Sequence, residues 1–169
     1  MTEAEFNDKL ARAKVLFDEK IKAEAEKSVP FANYVASKKS GNTIYISGQL
    51  PRDLLDGGKV ITGKADNNDN IFDAKYAAAM CAMQVLLVLK NEVGDLSKVK
   101  SCAQLQVFVN SAADFVNQHL VANGASDLVC EYLDKITGNK SIAPHTRCAV
   151  GVATLPLGAL VEVGAVFEI

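Results

Sequence analysis

Phe6, Leu10, Ala13, Phe17 and Ile21 recur at helical spacing along an otherwise charged segment, forming one apolar stripe. Thr2, with Glu5 three residues later, has the spacing of a capping box, so the pattern predicts an amphipathic helix ending before Pro30. Between Tyr34 and Gly48 the period shortens to two. The stretch YVASKKSGNTIYISG places two β-type runs around a Lys-Ser-Gly-Asn turn and predicts a hairpin. Val60 to Thr62 adds a candidate third strand. Asp69 to Glu92 returns to helical spacing, its alanines, Met80, Met83, Leu86 and Leu87 making a broad apolar face that stops near Gly94. KVKSCAQLQVFVNS reads as a strand with Val99, Ala103, Leu105, Val107 and Val109 on one parity. Ala125 to Ile136 reads as a second, shorter helix ended by Gly138. Val150, Val152 and Leu155, then Val161, Val163, Ala165 and Phe167 beyond the turn LPLGA, read as two period-two strands joined as a hairpin. The order is an N-terminal helix followed by β-β-(β)-α-β-α-β-β. It predicts an α+β fold with helices layered on one face of a sheet and no internal repeat.

Composition narrows the class. A chain of 169 residues is long enough for one domain that buries roughly 70% of its unfolded surface without a metal or disulfide staple. Eighteen basic and twenty acidic residues leave a net charge of −2, so no overall basic field gathers polyanions and nucleic-acid binding is not expected. Cys81, Cys102, Cys130 and Cys148 are far apart, form no C-x-x-C pair and sit among apolar neighbours, which predicts reduced core residues. MTEAEFNDKL has neither a basic n-region nor an apolar h-region, and the apolar run Ala77 to Leu89 is short for a membrane span. The expectation is a soluble cytoplasmic protein.

Few residues carry candidate chemistry. Gly58 to Ala65, GKVITGKA, has the G-x-x-x-x-G-K spacing of a phosphate loop, but Ala65 replaces the magnesium-binding hydroxyl and Val60, Ile61 and Thr62 favour a strand. The sequon at Asn139 is read as chance. No metal cluster, cofactor motif or nucleophile triad is assembled. His119, in DFVNQHL, reads as a lone polar helix residue, and His145 shares strand parity with Arg147 at one opening. Arg147 stands at the mouth of an apolar strand in PHTRCAV and needs a partner. That partner is either a carboxylate of the chain, such as Glu168 across the hairpin, or a ligand carboxylate or phosphate matched to the guanidinium fork.

ANYVASKKSGNTIYISGQLP (32 to 51), together with PHTRCAVGVATLPLGALVEVGAVFEI (144 to 169), resembles the YjgF/RidA family, also known as the endoribonuclease L-PSP family. Tyr34 stands thirteen residues before Ser47 of an S-G-Q-x-P motif, and Arg147 to Pro156 matches R-x-x-V-x-V-x-x-L-P. The resemblance covers residues 30–169 and leaves 1–28 as a helical extension. It implies a chorismate-mutase-like α+β fold, with two helices on one sheet face, assembled as a homotrimer with ligand clefts between subunits. It also implies hydrolysis of enamines and imines derived from amino acids, such as 2-aminoacrylate and 2-iminobutanoate, to 2-keto acids and ammonia. In that role Arg147 clamps the substrate carboxylate, Ser47, Gly48 and Ala149 line the cleft, and Tyr34 closes it. Many members carry E-x-E on the last strand, whereas this chain reads Glu162-Val163-Gly164, so the resemblance predicts a weakened water-handling group. The alternatives are a non-catalytic homotrimer that binds small carboxylates and an endoribonuclease.

Overall fold

Thr2 caps the first helix, α1 (Glu3–Lys22): its hydroxyl accepts from the Glu5 amide at 3.3 Å while the Glu5 carboxylate accepts from the Thr2 amide at 2.7 Å. The computed structural model, which describes residues 1–23, 33–66 and 71–169, buries Phe6, Ala13 and Phe17 of the predicted stripe and half-buries Leu10 and Ile21. The helix ends at Lys22, ahead of Pro30 as expected, with Ala23 as its C-cap; the expected boundary at residues 28–30 and the expected helix start at Asp69 lie outside the described residues.

The second helix, α2 (Ile71–Val93), carries buried side chains around most of its circumference, from Ala74 to Leu89. By length and composition it could cross a membrane, which extends the shorter apolar run expected from the sequence. Within the fold, however, 67% of its most apolar window is covered by protein, so this is the central core helix. Gly94 ends it in the left-handed conformation with φ 75, its amide donating to the Lys90 carbonyl at 2.7 Å.

The third helix, α3 (Gln118–Thr137), starts at Gln118 rather than at the expected Ala125. Gly124 therefore lies inside the helix, where it serves a contact. A Cβ built there would lie 2.0 Å from the Lys75 carbonyl oxygen, so the missing side chain lets α3 settle directly on α2. On its outer side α3 meets α1: Phe17 stacks edge-on against Tyr132 at 4.9 Å, and the Tyr132 hydroxyl donates to Asp18 at 2.9 Å.

The strands are β1 (Ser37–Ser40), β2 (Thr43–Gln49), β3 (Arg52–Asp53), β4 (Lys59–Val60), β5 (Ser101–Asn110), β6 (Thr146–Val152) and β7 (Val161–Glu168). Five of them form the main sheet in the order β1-β2-β7-β5-β6. The β1–β2 hairpin forms as expected, with Gly41 at φ 58 in its turn. The third-strand expectation is met only locally. β4 pairs with β3 in a separate ribbon, while Thr62 bridges Ala159. Ile44, Ile46, Leu105, Val107, Val109, Val161, Val163, Ala165 and Phe167 are all buried on the face that the helices cover. Near its start β5 shifts register between Cys102 and Gln104, so Cys102 is buried in place of the expected Ala103.

Two expectations are corrected by this topology. The last two strands are not a hairpin. β6 runs parallel to β5 after the α3 crossover, and the Leu155–Gly158 turn then carries the chain to β7 on the opposite side of β5. Cysteine burial also divides: Cys81 and Cys102 are buried, Cys130 is half-buried, and Cys148 is exposed on the uncovered sheet face, all four as free thiols.

Gly124 provides a direct test of the packing. On an exposed helix Gly→Ala stabilises by about 1 kcal/mol. Here the Lys75 backbone occupies the space, so Gly124→Ala should instead destabilise by about 1–3 kcal/mol, the usual scale of overpacking. A melting curve checks the sign, which a rise in Tm would contradict.

Candidate functional site

Register decides where Arg147 points. It pairs with buried Leu105 across the parallel β5–β6 ladder, so it lies on the helix side of the sheet, and β6 is the edge strand. The exposed side chain therefore reaches α3. Its Nη1 donates to Asn123 Oδ1 at 2.9 Å and to Ser126 Oγ at 2.9 Å, and its Nη2 donates to the His119 carbonyl at 3.3 Å. A guanidinium has five N–H donors, so Nε–H and one Nη2 hydrogen remain. Among the described residues Arg147 forms no ion pair with any carboxylate. The intramolecular alternative, Glu168, accepts instead from Ser101 Oγ at 2.9 Å, two strands away from β6.

The two histidines take different parts. His145 Nδ1 lies 2.9 Å from the Ala143 carbonyl, which can only accept, so that nitrogen carries a proton. In the neutral ring Nε2 is then the acceptor for Ser126 Oγ at 3.0 Å. His119 is exposed and offers Arg147 its backbone carbonyl rather than its imidazole. Ala149, on the same side of β6 as Arg147, pairs with Val107 and is half-buried.

A second group assembles where β2 bulges against β7, between Ile46 and Gln49. Ser47 pins the incoming chain: its hydroxyl donates to the Val35 carbonyl at 2.7 Å and its amide to the Ala36 carbonyl at 3.0 Å. This leaves the neighbouring Tyr34 side chain 55% exposed. Against Gly48 rests the carboxylate of Glu162. A Cβ on Gly48 would lie 1.8 Å from Glu162 Oε1, so only glycine admits this approach. Glu162 is half-buried, and its removal from water raises its pKa above the ordinary carboxylate value. Gly164 lies elsewhere. A side chain there would begin 3.4 Å from Gln106 Oε1 and 3.6 Å from the Ile46 carbonyl.

The expected residues therefore form two groups within one subunit. Glu162 pairs with Phe108 and so faces the side of the sheet opposite to Leu105 and Arg147. β2 and β6 are separated by β7 and β5, about 14 Å at ordinary strand spacing. Among the described residues, an open groove of about 780 Å³ lies between α1 and the turn at Leu54–Asp56 and contains none of these residues. Nor does the phosphate-loop spacing become a nest. Lys64 donates to the Ala153 carbonyl at 2.8 Å, and the Ala65 amide is bound to the Asn110 carbonyl at 2.7 Å. Among the described residues no cluster of His, Cys, Asp and Glu is suited to a metal.

Asn123 and Ser126 are site residues that the sequence reading missed. Together with His119 they fall at i, i+4 and i+7, one face of a helix. That spacing is informative only once α3 is known to begin at Gln118.

The comparisons agree with this architecture. The family model for Endoribonuclease L-PSP matches residues 25–169. Protein TCP17 of Trypanosoma cruzi is 42% identical over 142 residues, covering 84% of each chain. The crystal structure of Atu1372 from Agrobacterium tumefaciens, a protein of unknown function, superposes with a TM-score of 0.73 at 38% identity, covering 94% of this chain and 98% of that one. The YjgF gene product of E. coli shares the fold with a TM-score of 0.56 at 21% identity, covering 87% and 98%. The chain belongs to the endoribonuclease L-PSP family, the family of YjgF and RidA.

Proposed function

We propose that this protein hydrolyses small imines and enamines that carry a carboxylate, of the 2-iminobutanoate and 2-aminoacrylate type, to 2-keto acids and ammonia. The observation that carries the reading is the state of Arg147: held on one side by three neutral acceptors, with donors to spare and, among the described residues, no carboxylate partner. A fixed, unpaired guanidinium suits a ligand carboxylate, to which it can donate two parallel hydrogen bonds.

The reacting end of the ligand is assigned to Glu162. Attack of water on a C=N carbon requires a base for the water and an acid for the nitrogen. With the imine nitrogen protonated, the water oxygen bonds to the carbon as the C=N π pair moves to nitrogen, and Glu162 takes one water proton, giving a neutral carbinolamine. Glu162 returns that proton to the amine, then takes the remaining hydroxyl proton as the C=O bond forms and the C–N bond breaks, releasing ammonia, and passes it to solvent. A carboxylate with a raised pKa suits both directions of transfer. The absent second carboxylate at Gly164 then costs little, because that position faces Gln106 and the Ile46 carbonyl rather than Gly48. This supports the hydrolase reading over the purely binding alternative. Net charge −2 gives the endoribonuclease alternative no basic field to work with.

Assembly is part of the proposal. Arg147 and Glu162 stand on opposite sheet faces, on β6 and β7 with β5 between them, about 10 Å apart across the strands and three register positions apart along them, so one small substrate is not spanned by both within one subunit. A head-to-tail contact that sets the β6 edge of one copy against the β2–β7 bulge of the next joins them, and closure of that contact as a homotrimer leaves equivalent clefts. Tyr34, Ser47, Gly48 and Glu162 then come from one copy, with Arg147 and Ala149 from the other.

Two substitutions separate binding from chemistry. Arg147→Ala should weaken 2-ketobutyrate binding by about 2–5 kcal/mol in a calorimetric titration with little change in Tm. Arg147→Lys should also bind more weakly than wild type. Unchanged affinity in Arg147→Ala would remove the carboxylate clamp. Glu162→Gln should slow keto-acid release from 2-iminobutanoate generated in situ by about 100-fold or more, while 2-ketobutyrate still binds. Full activity in this variant would exclude Glu162 as the proton carrier.

A further inference from the structure

We infer that Asn123 and Ser126 of α3 are positioning residues for Arg147, and that His145 fixes the Ser126 hydroxyl in the orientation this requires. The inference rests on the carboxylate-clamp reading of Arg147 and deepens it. It concerns what holds the clamp before a ligand arrives.

An arginine on an exposed edge strand ordinarily has many rotamers, and fixing such a side chain costs conformational entropy. Here the terminus is held at three points. Both hydrogens of Nη1 are committed, one to Asn123 Oδ1 and one to Ser126 Oγ, each at 2.9 Å, and Nη2 donates to the His119 carbonyl at 3.3 Å. All three acceptors are neutral. They orient the guanidinium without neutralising it, so the positive charge remains available to an anion. A carboxylate in place of Asn123 would compete with the ligand for the same donors.

Ser126 works in this way only if its lone pair faces Arg147. A hydroxyl is both donor and acceptor, and a rotating Ser126 would spend part of its time pointing its hydrogen elsewhere. His145 removes that freedom. Its Nδ1–H is committed to the Ala143 carbonyl at 2.9 Å, which leaves Nε2 as an acceptor 3.0 Å from Ser126 Oγ. The Ser126 hydrogen goes to His145 and a lone pair goes to Arg147. The bonds run in one direction, from Arg147 through Ser126 and His145 to a backbone carbonyl. Nε–H and the second Nη2 hydrogen, which border one edge of the guanidinium, are left for the ligand.

The test is titration of 2-ketobutyrate, with steady-state kinetics on 2-iminobutanoate generated in situ, for Ser126→Ala, Ser126→Thr and the double variant Asn123→Ala/Ser126→Ala. Melting curves accompany each. Positioning predicts that Ser126→Ala weakens binding and raises KM by about tenfold with kcat and Tm close to wild type, that the double variant weakens it further, and that Ser126→Thr, which keeps the hydroxyl, restores most of the affinity. Wild-type affinity in the double variant, alongside lost affinity in Arg147→Ala, would overturn the positioning role and leave the clamp standing. Wild-type affinity in Arg147→Ala as well would overturn the clamp itself. Equal loss in Ser126→Ala and Ser126→Thr would overturn the hydroxyl-directed part, because a steric change at the helix surface would then suffice.

Discussion

The close approach of α3 to α2 at Gly124 is the constraint on which the candidate site depends. The Lys75 carbonyl sits where a Cβ would be, so the two helices meet backbone to backbone rather than side chain to side chain. α3 is thereby fixed in height and rotation over β5 and β6. That rotation turns His119, Asn123 and Ser126 toward the edge strand while Val121, Ala122, Ala125, Leu128 and Val129 enter the core. A side chain at position 124 would push the polar face away from Arg147. The guanidinium would then lose its acceptors before it met any ligand.

A second close approach does similar work on the other side of the sheet. Gly48, in the β2 bulge, makes room for the Glu162 carboxylate, and the Ser47 bonds to Val35 and Ala36 hold the preceding segment beside it. Burial raises the pKa of this carboxylate, whereas Asp53 shows the opposite result in the same fold. Burial opposes ionisation of Asp53 too, but Lys9, Tyr76 and the Leu55 amide all donate to it and hold its pKa below the usual value. One carboxylate is neutralised as part of the α1–α2 packing. The other is the group assigned to proton transfer in the proposed reaction.

Much of this was legible in the sequence where the signal was local. The Thr2–Glu5 cap, the α1 stripe, the β1–β2 turn and the long apolar α2 follow from spacing and turn chemistry alone. The motif residues Tyr34, Ser47, Gly48 and Arg147 were legible as a family resemblance. What failed was non-local. The strand order hides from the sequence that β5 lies between β6 and β7, so Glu168 looked available to Arg147 when it is bonded to Ser101. With α3 expected to begin at Ala125, the spacing of His119, Asn123 and Ser126 had no meaning. The role of Glu162 was obscured in the same way, since only the fold distinguishes a side chain over Gly48 from one beside Gln106.

The central claim is that the working site is divided between copies of the chain, Arg147 from one and Glu162 from the next. Mixing two inactive variants tests it most directly. Subunits carrying Arg147→Ala and subunits carrying Glu162→Gln are denatured together in equal amounts, refolded, and assayed for keto-acid release from 2-iminobutanoate. A divided site predicts recovery to about a quarter of the wild-type rate, the statistical share of clefts that receive both intact halves. A site contained within one subunit has no intact copy in any mixture. Activity no greater than that of the separate variants, in assemblies shown to have exchanged subunits, would contradict the account.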